Sequence, residues 1–374
     1  MATDVRSAAA TSTTRPARTS RSVGWWLVAL CVVVTAMVVV GGLTRLTHSG
    51  LSMVEWQPQN VLPPLSEAAW QEAFADYQRS PEFLKINTDM DLTGFKGIFW
   101  LEYIHRVVAR LFGVVLIVPF VWFLFRRAIT RPLVPRLVGV LALAAAQGVM
   151  GWLMVASGLV DRPDVSHYRL ALHLLLAFAL FAWMLWLALG ILLPDPPTAS
   201  SDGAPARGLR GAVLATGALM LVTSLWGAFV AGLDAGFIYN RFPLMGDTPW
   251  PDGMGGDGLA AALVENLGVV QFVHRILAIA TFALAIVVLV GALRAMPSSW
   301  RRTCVLLVPA AAAVQFVLGV STLVLAVPTA LGVMHQAGAL VLLAAVVAAL
   351  SALRGRSAGG VAASPATDLR EVAA

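Results

Sequence analysis

Eight stretches of the chain are almost continuously apolar, and each is long enough, at roughly 20 residues, to cross a bilayer as a helix. They lie near residues 24–43, 98–125, 133–157, 170–193, 211–231, 269–293, 303–326 and 332–353. This pattern predicts an all-α integral membrane protein with eight transmembrane helices. Residues 1–23 are rich in Ala, Ser, Thr and Arg without apolar periodicity and read as a disordered cytoplasmic tail, and residues 354–374 read as a second cytoplasmic tail. The first apolar run is long enough to span and lacks a clear small-residue cleavage site, which favours an anchor over a cleaved signal peptide. A Pro-, Ala- and Ser-rich stretch, 194–210, reads as a linker between a first bundle, 24–193, and a second, 211–353. Inside the long loop 44–97, Trp70, Phe74 and Tyr77 recur at helical spacing. They predict an amphipathic helix lying on the membrane surface or capping a site.

Composition agrees with the pattern. The chain is 59% hydrophobic and 12% charged, with a mean hydropathy of +0.80, which is foreign to a soluble domain with one core. The net charge of +6 is not gathered into a basic patch with interleaved aromatics, so it speaks for membrane topology and against a nucleic-acid partner. Arg126, Arg127, Arg131 and Arg136, then Arg207 and Arg210, then Arg294, Arg301 and Arg302, then Arg354 and Arg356 all fall on the side of the N-terminal tail. The positive-inside rule therefore places both termini in the cytoplasm. Cys31 and Cys304 stand far apart in apolar runs; they form neither a disulfide framework nor a CxxC motif and read as small buried hydrophobes.

Ionisable groups inside a membrane helix are expensive, and the default reading of one is a functional site. The second span carries LEYIHRVVAR, and the sixth carries VVQFVHRILA, with the same His-Arg pair and Gln271 where the first copy has Glu102. Gln147 in QGVMG of the third span matches Gln315 in QFVLG of the seventh. Four spans followed by four of the same polarity predict a parallel repeat: two pseudo-symmetric four-helix bundles side by side. Of six histidines, His105, His173, His274 and His335 fall one each in spans 2, 4, 6 and 8, one to two turns below the outer end, while His48 and His167 fall in outward loops. Two imidazoles opposed across a bundle can supply both axial ligands of a haem iron, and here they could do so once per half. Zinc is less favoured, because no third ligand accompanies either pair. Glu102 shares a helix face with His105 and can exchange a proton or stabilise a cation, which Gln271 cannot. It can equally form an intrahelical pair with Arg106. Arg106, Arg110 and Arg275, and Arg45, Lys96, Arg169 and Arg241 near outer ends of spans, could meet haem propionates or pair within the protein.

The segments GGLTRLTHSGLSM, PPLSEAAW, FKGIFWLEYIHRVVAR, GWLMVASGL, YRLALH, GAFVAGLDAGFIYNRFPLM, QFVHR and MHQAGAL resemble haem A synthases. The resemblance is to the type of mitochondria and α-proteobacteria that lacks a cysteine pair in the first outer loop, and it extends from about Gly41 to Leu353. One departure is Gly94, where an acidic residue is expected. The resemblance implies an oxidoreductase that converts a methyl group of haem O to a formyl group in two steps through an alcohol. It implies a resident haem b between His274 and His335, with the substrate haem O between His105 and His173, beside Glu102 as proton acceptor or cation stabiliser. It also implies a bacterial cytoplasmic membrane, haem sites near its outer face and supply by a haem O synthase in the same membrane. Cytochrome c oxidase and its assembly factors lie downstream, and a homo-oligomer is compatible with it. The residues alone leave two other readings open: a b-type electron carrier with two haems that alters neither, and a transporter with a histidine proton relay.

Overall fold

The computed structural model describes residues 19–54, 62–158, 165–193, 203–251 and 258–354. The readings of residues 1–18 and 355–374 as tails, and of most of the linker, fall outside the described residues. The helices are α1 (Arg21–Leu46), α2 (Glu67–Gln78), α3 (Pro81–Lys85), α4 (Leu92–Phe125), α5 (Val134–Gly158), α6 (His167–Leu192), α7 (Gly203–Gly232), α8 (Leu259–Glu265), α9 (Leu267–Ala295), α10 (Trp300–Val324) and α11 (Thr329–Ala352). Eight of them, α1, α4, α5, α6, α7, α9, α10 and α11, are long and apolar enough to cross a membrane. The protein is an all-helical, multi-pass membrane protein, and the described residues contain no β-strand.

Local sequence sets where these helices begin. Ser20, Asp91, Asn266 and Ser299 each accept a hydrogen bond from a backbone N–H of the first turn of α1, α4, α9 and α10, satisfying donors that a helix start leaves orphaned. The Asp91 cap bears on Gly94, whose N–H donates to Asp91 Oδ1 at 2.8 Å. A carboxylate therefore stands at the mouth of the second span despite the glycine. Pro119 lies inside α4 and cannot donate to the Val115 carbonyl four residues earlier. The indole Nε1 of Trp26, on α1, donates to that carbonyl instead, at 2.8 Å.

In the first half α1 packs on α4 and α6, and α5 packs on α6; in the second, α7 packs on α9 and α11, and α10 on α9 and α11. The halves meet where α1 lies on α11 and where α6 lies on α7 and α11. Polar ties cross that seam at three levels. Arg45 Nη2 donates to the Ala231 carbonyl at 2.7 Å and to Asp234 at 3.0 Å. Gln336 Nε2 donates to the Val38 carbonyl at 3.0 Å. The Arg354 guanidinium lies 3.4 Å over the Trp186 ring and donates to its carbonyl. One seam is loose: α4 and α5 barely touch, whereas α9 and α10 pack along their length.

The long loop does form the expected helix. Ser66 caps α2, and Trp70 and Tyr77 are buried against Phe95 and Phe99 of α4, with Phe74 and Phe83 completing an aromatic cluster. The helix is thus docked on the first two turns of α4, which rise above the apolar run. Burial, reinforced by Glu82, pushes the Tyr77 hydroxyl above its ordinary pKa. His167 departs from the loop placement: it is the first residue of α6, buried against Tyr168 and Phe229. Packing against Gly232 of α7 draws it into the seam between the halves.

Candidate functional site

The four span histidines sit in one repeated setting. His105 on α4 has its Cε1 3.2 Å from where a Cβ on Gly41 of α1 would stand, and His173 on α6 is 3.2 Å from that of Gly151 on α5. In the second half, His274 on α9 meets Gly227 of α7 at 2.9 Å, and His335 on α11 meets Gly319 of α10 at 2.8 Å. Each imidazole therefore lies on bare backbone of a neighbouring helix, and any side chain there would occupy the ring's volume. Sequence reading picked the histidines and passed over the glycines. The available signal was Gly151 and Gly319, each four residues after the matched glutamine.

Those glutamines orient two of the rings. Gln147 Nε2 donates to the His173 carbonyl at 3.1 Å and lies 3.3 Å from His173 Nε2. Gln315 Nε2 donates to the His335 carbonyl at 2.9 Å and lies 3.2 Å from His335 Nδ1. His274 Nδ1 donates to the Thr223 carbonyl at 3.0 Å, which fixes the tautomer and leaves Nε2 with a free lone pair. The rings of His274 and His335 face one another with centroids 6.4 Å apart and planes at 89°. Two metal–nitrogen bonds of about 2 Å each, with the two ring half-widths, come to nearly that span. Nδ1 of both His105 and His173 is buried without a partner among the described residues. These residues fit a haem. Each pair offers two nitrogen ligands across a bundle, with glycine floors that seat the imidazole rings, and no described cluster of three His, Cys, Asp or Glu competes for a bare metal ion.

Glu102 is buried, with both oxygens engaged. Oε1 accepts from Arg106 Nη2 at 2.5 Å; Oε2 accepts from Ser52 Oγ at 2.7 Å and from Met53 N at 2.9 Å. Arg106 also donates to the Met53 carbonyl. Gln271 and Arg275 take hold of the second half's outer loop in the same way. Gln271 Nε2 donates to the carbonyls of Ala235 and Tyr239, and its Oε1 accepts from Arg275 at 2.9 Å. Arg275 reaches the carbonyls of Tyr239, Arg241 and Leu244. The two loops present opposite polarity. The first offers an N–H and an O–H, which call for a side chain with two acceptors; the second offers carbonyls, which call for an amide. The Glu/Gln difference therefore has a structural cause, and the expected Glu102–Arg106 pair is present. The outer cations are also engaged by protein. Arg45 holds Asp234, Lys96 lies 3.1 Å from Glu67, Arg241 lies 2.6 Å from Asp247 and Arg169 donates to the Leu153 carbonyl. Arg110 keeps Nη1 buried without a partner among the described residues.

Comparison with known proteins gives the same direction. Residues 24–347 match the model of the family described as cytochrome oxidase assembly protein, COX15-CtaA. A heme A synthase of Paramagnetospirillum magneticum is 48% identical over 314 residues, covering 81% of this chain and 85% of that one. Heme A synthases of Nitrosospira multiformis and Rhodospirillum centenum are 46% and 44% identical over 304 and 311 residues, covering 80% and 83% of this chain and 84% and 82% of theirs. With a match that runs through all eight spans and all four histidines, the chain belongs to the COX15-CtaA family of cytochrome oxidase assembly proteins.

Proposed function

We propose that the chain is a haem A synthase, an oxidoreductase that converts a methyl group of haem O to a formyl group by two successive two-electron oxidations through an alcohol. The observation that carries this is the repeated setting of four half-buried histidines, each on a glycine floor, in a chain whose relatives are named heme A synthases. His105 and His173 would hold the substrate haem O, and His274 and His335 the resident haem b. The ring separation of 6.4 Å supports His274 and His335 as the residues that would hold the haem iron. Bound there, haem b supplies an iron that exchanges electrons one at a time.

The protein's own residues bind, orient and enclose. Thr223 and Gln315 hold the second-half rings in place, Gln147 does so for His173, and the glycines make room for the four rings. The Arg106–Glu102 and Arg275–Gln271 pairs fasten the outer loops over the two halves. Glu102 is the first half's carboxylate and the candidate to accept a proton from the reacting carbon or to stabilise positive charge there. The two-fold correspondence of helix pairings, α1 on α11 matching α7 on α6, supports a parallel repeat of two bundles at 24–193 and 211–353. The arginine bias supports both termini in the cytoplasm of a bacterial inner membrane, with the histidines toward its outer face. A haem O synthase in that membrane would supply the substrate.

The test is haem extraction with mass analysis from membranes that produce haem O, with and without this chain. Haem A or its alcohol precursor only when the chain is present is expected. Unchanged haem O beside well-folded, haem-loaded protein would overturn the reading and favour an electron carrier.

A further inference from the structure

The two halves differ at one seam. Eight residues beyond His274, α9 carries Phe282, and next to Gln315, α10 carries Phe316. Their rings stack with centroids 5.0 Å apart and planes 15° apart, and Phe242 from the loop after α7 sets its edge on Phe316 at 6.0 Å. The α9–α10 seam is thereby closed with aromatic rings. At the same register in the first half, eight residues beyond His105, α4 carries Gly113, and next to Gln147, α5 carries Gly148. A Cβ built on either would meet nothing within 4 Å, and α4 and α5 barely touch. The first half thus lacks both rings and has open space in their place. That space lies on the membrane-centre side of the first histidine pair: Gly113 stands about 12 Å along α4 from His105, at 1.5 Å per residue. Its neighbours Leu111 and Val114 on α4, and Val149 and Trp152 on α5, are apolar and exposed. The first histidine pair stands toward the outer end of the same bundle, with Nδ1 of His105 and of His173 buried and without a partner among the described residues.

We propose that this slot between α4 and α5 receives the isoprenoid side chain of haem O. The Phe282–Phe316 stack would fill the equivalent volume in the second half, so that only a haem without the tail fits there. The inference rests on the reading that the histidine pairs hold haem, and adds what sorts the two haems between them. Haem O and haem b differ in that long apolar chain. An apolar slot facing the bilayer core suits such a chain, because its surroundings are almost wholly hydrocarbon, the indole N–H of Trp152 being the polar exception. It also gives a membrane-dissolved substrate a lateral way in.

The experiment purifies the whole chain from membranes that contain both haem b and haem O, and measures each haem per chain by extraction and mass analysis. Wild type is expected to carry both a tailed haem and haem b. The double variant Gly113→Phe with Gly148→Phe, which installs the second half's own residues, is expected to lose tailed haem to background while haem b per chain holds. The converse, Phe282→Gly with Phe316→Gly, is expected to gain tailed haem that persists when His105→Ala is added. That second arm decides the matter should the filled variant fail to fold. Tailed haem retained at the wild-type ratio in the folded filled variant, or no gain in the opened one, would overturn the slot and leave the haem reading standing. A wild-type chain that carries haem b but never a tailed haem would remove the underlying reading and the slot with it.

Discussion

Replacing Gly319 by alanine tests the histidine floors directly. The new Cβ would stand 2.8 Å from His335 Cε1, whereas carbon atoms rest at about 3.5–4.0 Å, so the ring must retreat by about 0.7–1.2 Å. It cannot do so freely, because Gln315 holds both its Nδ1 side and its backbone carbonyl. A metal–ligand distance tolerates only about 0.2 Å of error. Overpacking of this kind costs about 1–3 kcal/mol, or roughly a fivefold to hundredfold loss of haem affinity. Gly227→Ala, with a 2.9 Å approach to His274, should behave alike. Gly41→Ala and Gly151→Ala start from 3.2 Å and ask for a smaller retreat, so the first-half pair, His105 and His173, should suffer less. The assay is titration of purified, haem-depleted protein with haem b, followed through the Soret band. Gly319→Ala binding as tightly as wild type would refute the argument. So would Gly41→Ala disturbing haem b binding more than Gly319→Ala does.

Two further outcomes follow from single hydrogen bonds. Trp26→Phe leaves the half-buried Val115 carbonyl, already without its helical donor because of Pro119, unpaired; thermal unfolding in detergent should register a loss of about 1 kcal/mol, and adding Pro119→Ala, which restores the missing N–H, should recover part of it. Gln315→Ala removes the group that orients His335; haem b affinity measured by the same titration should fall by about 10–100-fold, whereas Gln147→Ala should leave that site untouched.

Much of this was legible from periodicity alone, because a bilayer admits few solutions. A run of roughly 20 apolar residues has to be a helix, and polar residues inside one stand out. The four histidines, the matched glutamines and the Glu102–Arg106 pair were visible for that reason. What the residues hid was relational. Gly41 and Gly227 are ordinary glycines in apolar runs until His105 and His274 are seen lying on them. His167 reads as a loop residue because it follows Pro163 and Asp164, yet it opens α6 and is buried by the neighbouring half. The amphipathic pattern of α2 fitted a membrane surface as well as a protein one. Only the extra turns of α4, built from polar-looking sequence around Gly94 and Lys96, supply the aromatic platform that decides between them.

The contrast between Glu102 and Gln271 is where sequence and structure pull hardest against each other. Read along the chain it is a chemical asymmetry, one reactive carboxylate against one inert amide. In three dimensions each residue matches the polarity of its own loop, so Glu102→Gln would turn an amide N–H toward either Met53 N–H or Arg106 and loosen the loop as well as remove the charge. Loss of product in that variant would therefore not by itself identify a proton acceptor. Ser52→Ala separates the two roles. It deletes the 2.7 Å hydroxyl bond to Glu102, a contact to a charged group worth about 1.5–3 kcal/mol, and leaves the carboxylate in place with one oxygen less well satisfied. If Glu102 serves by fastening the loop, Ser52→Ala and Glu102→Gln should lower total conversion of haem O together, with the alcohol-to-formyl ratio unchanged. If its charge or basicity enters the chemistry, Ser52→Ala should convert haem O normally while Glu102→Gln accumulates the alcohol. Extracted haems from the two variants side by side decide it: accumulation of alcohol in both, to the same extent, would contradict either role as stated.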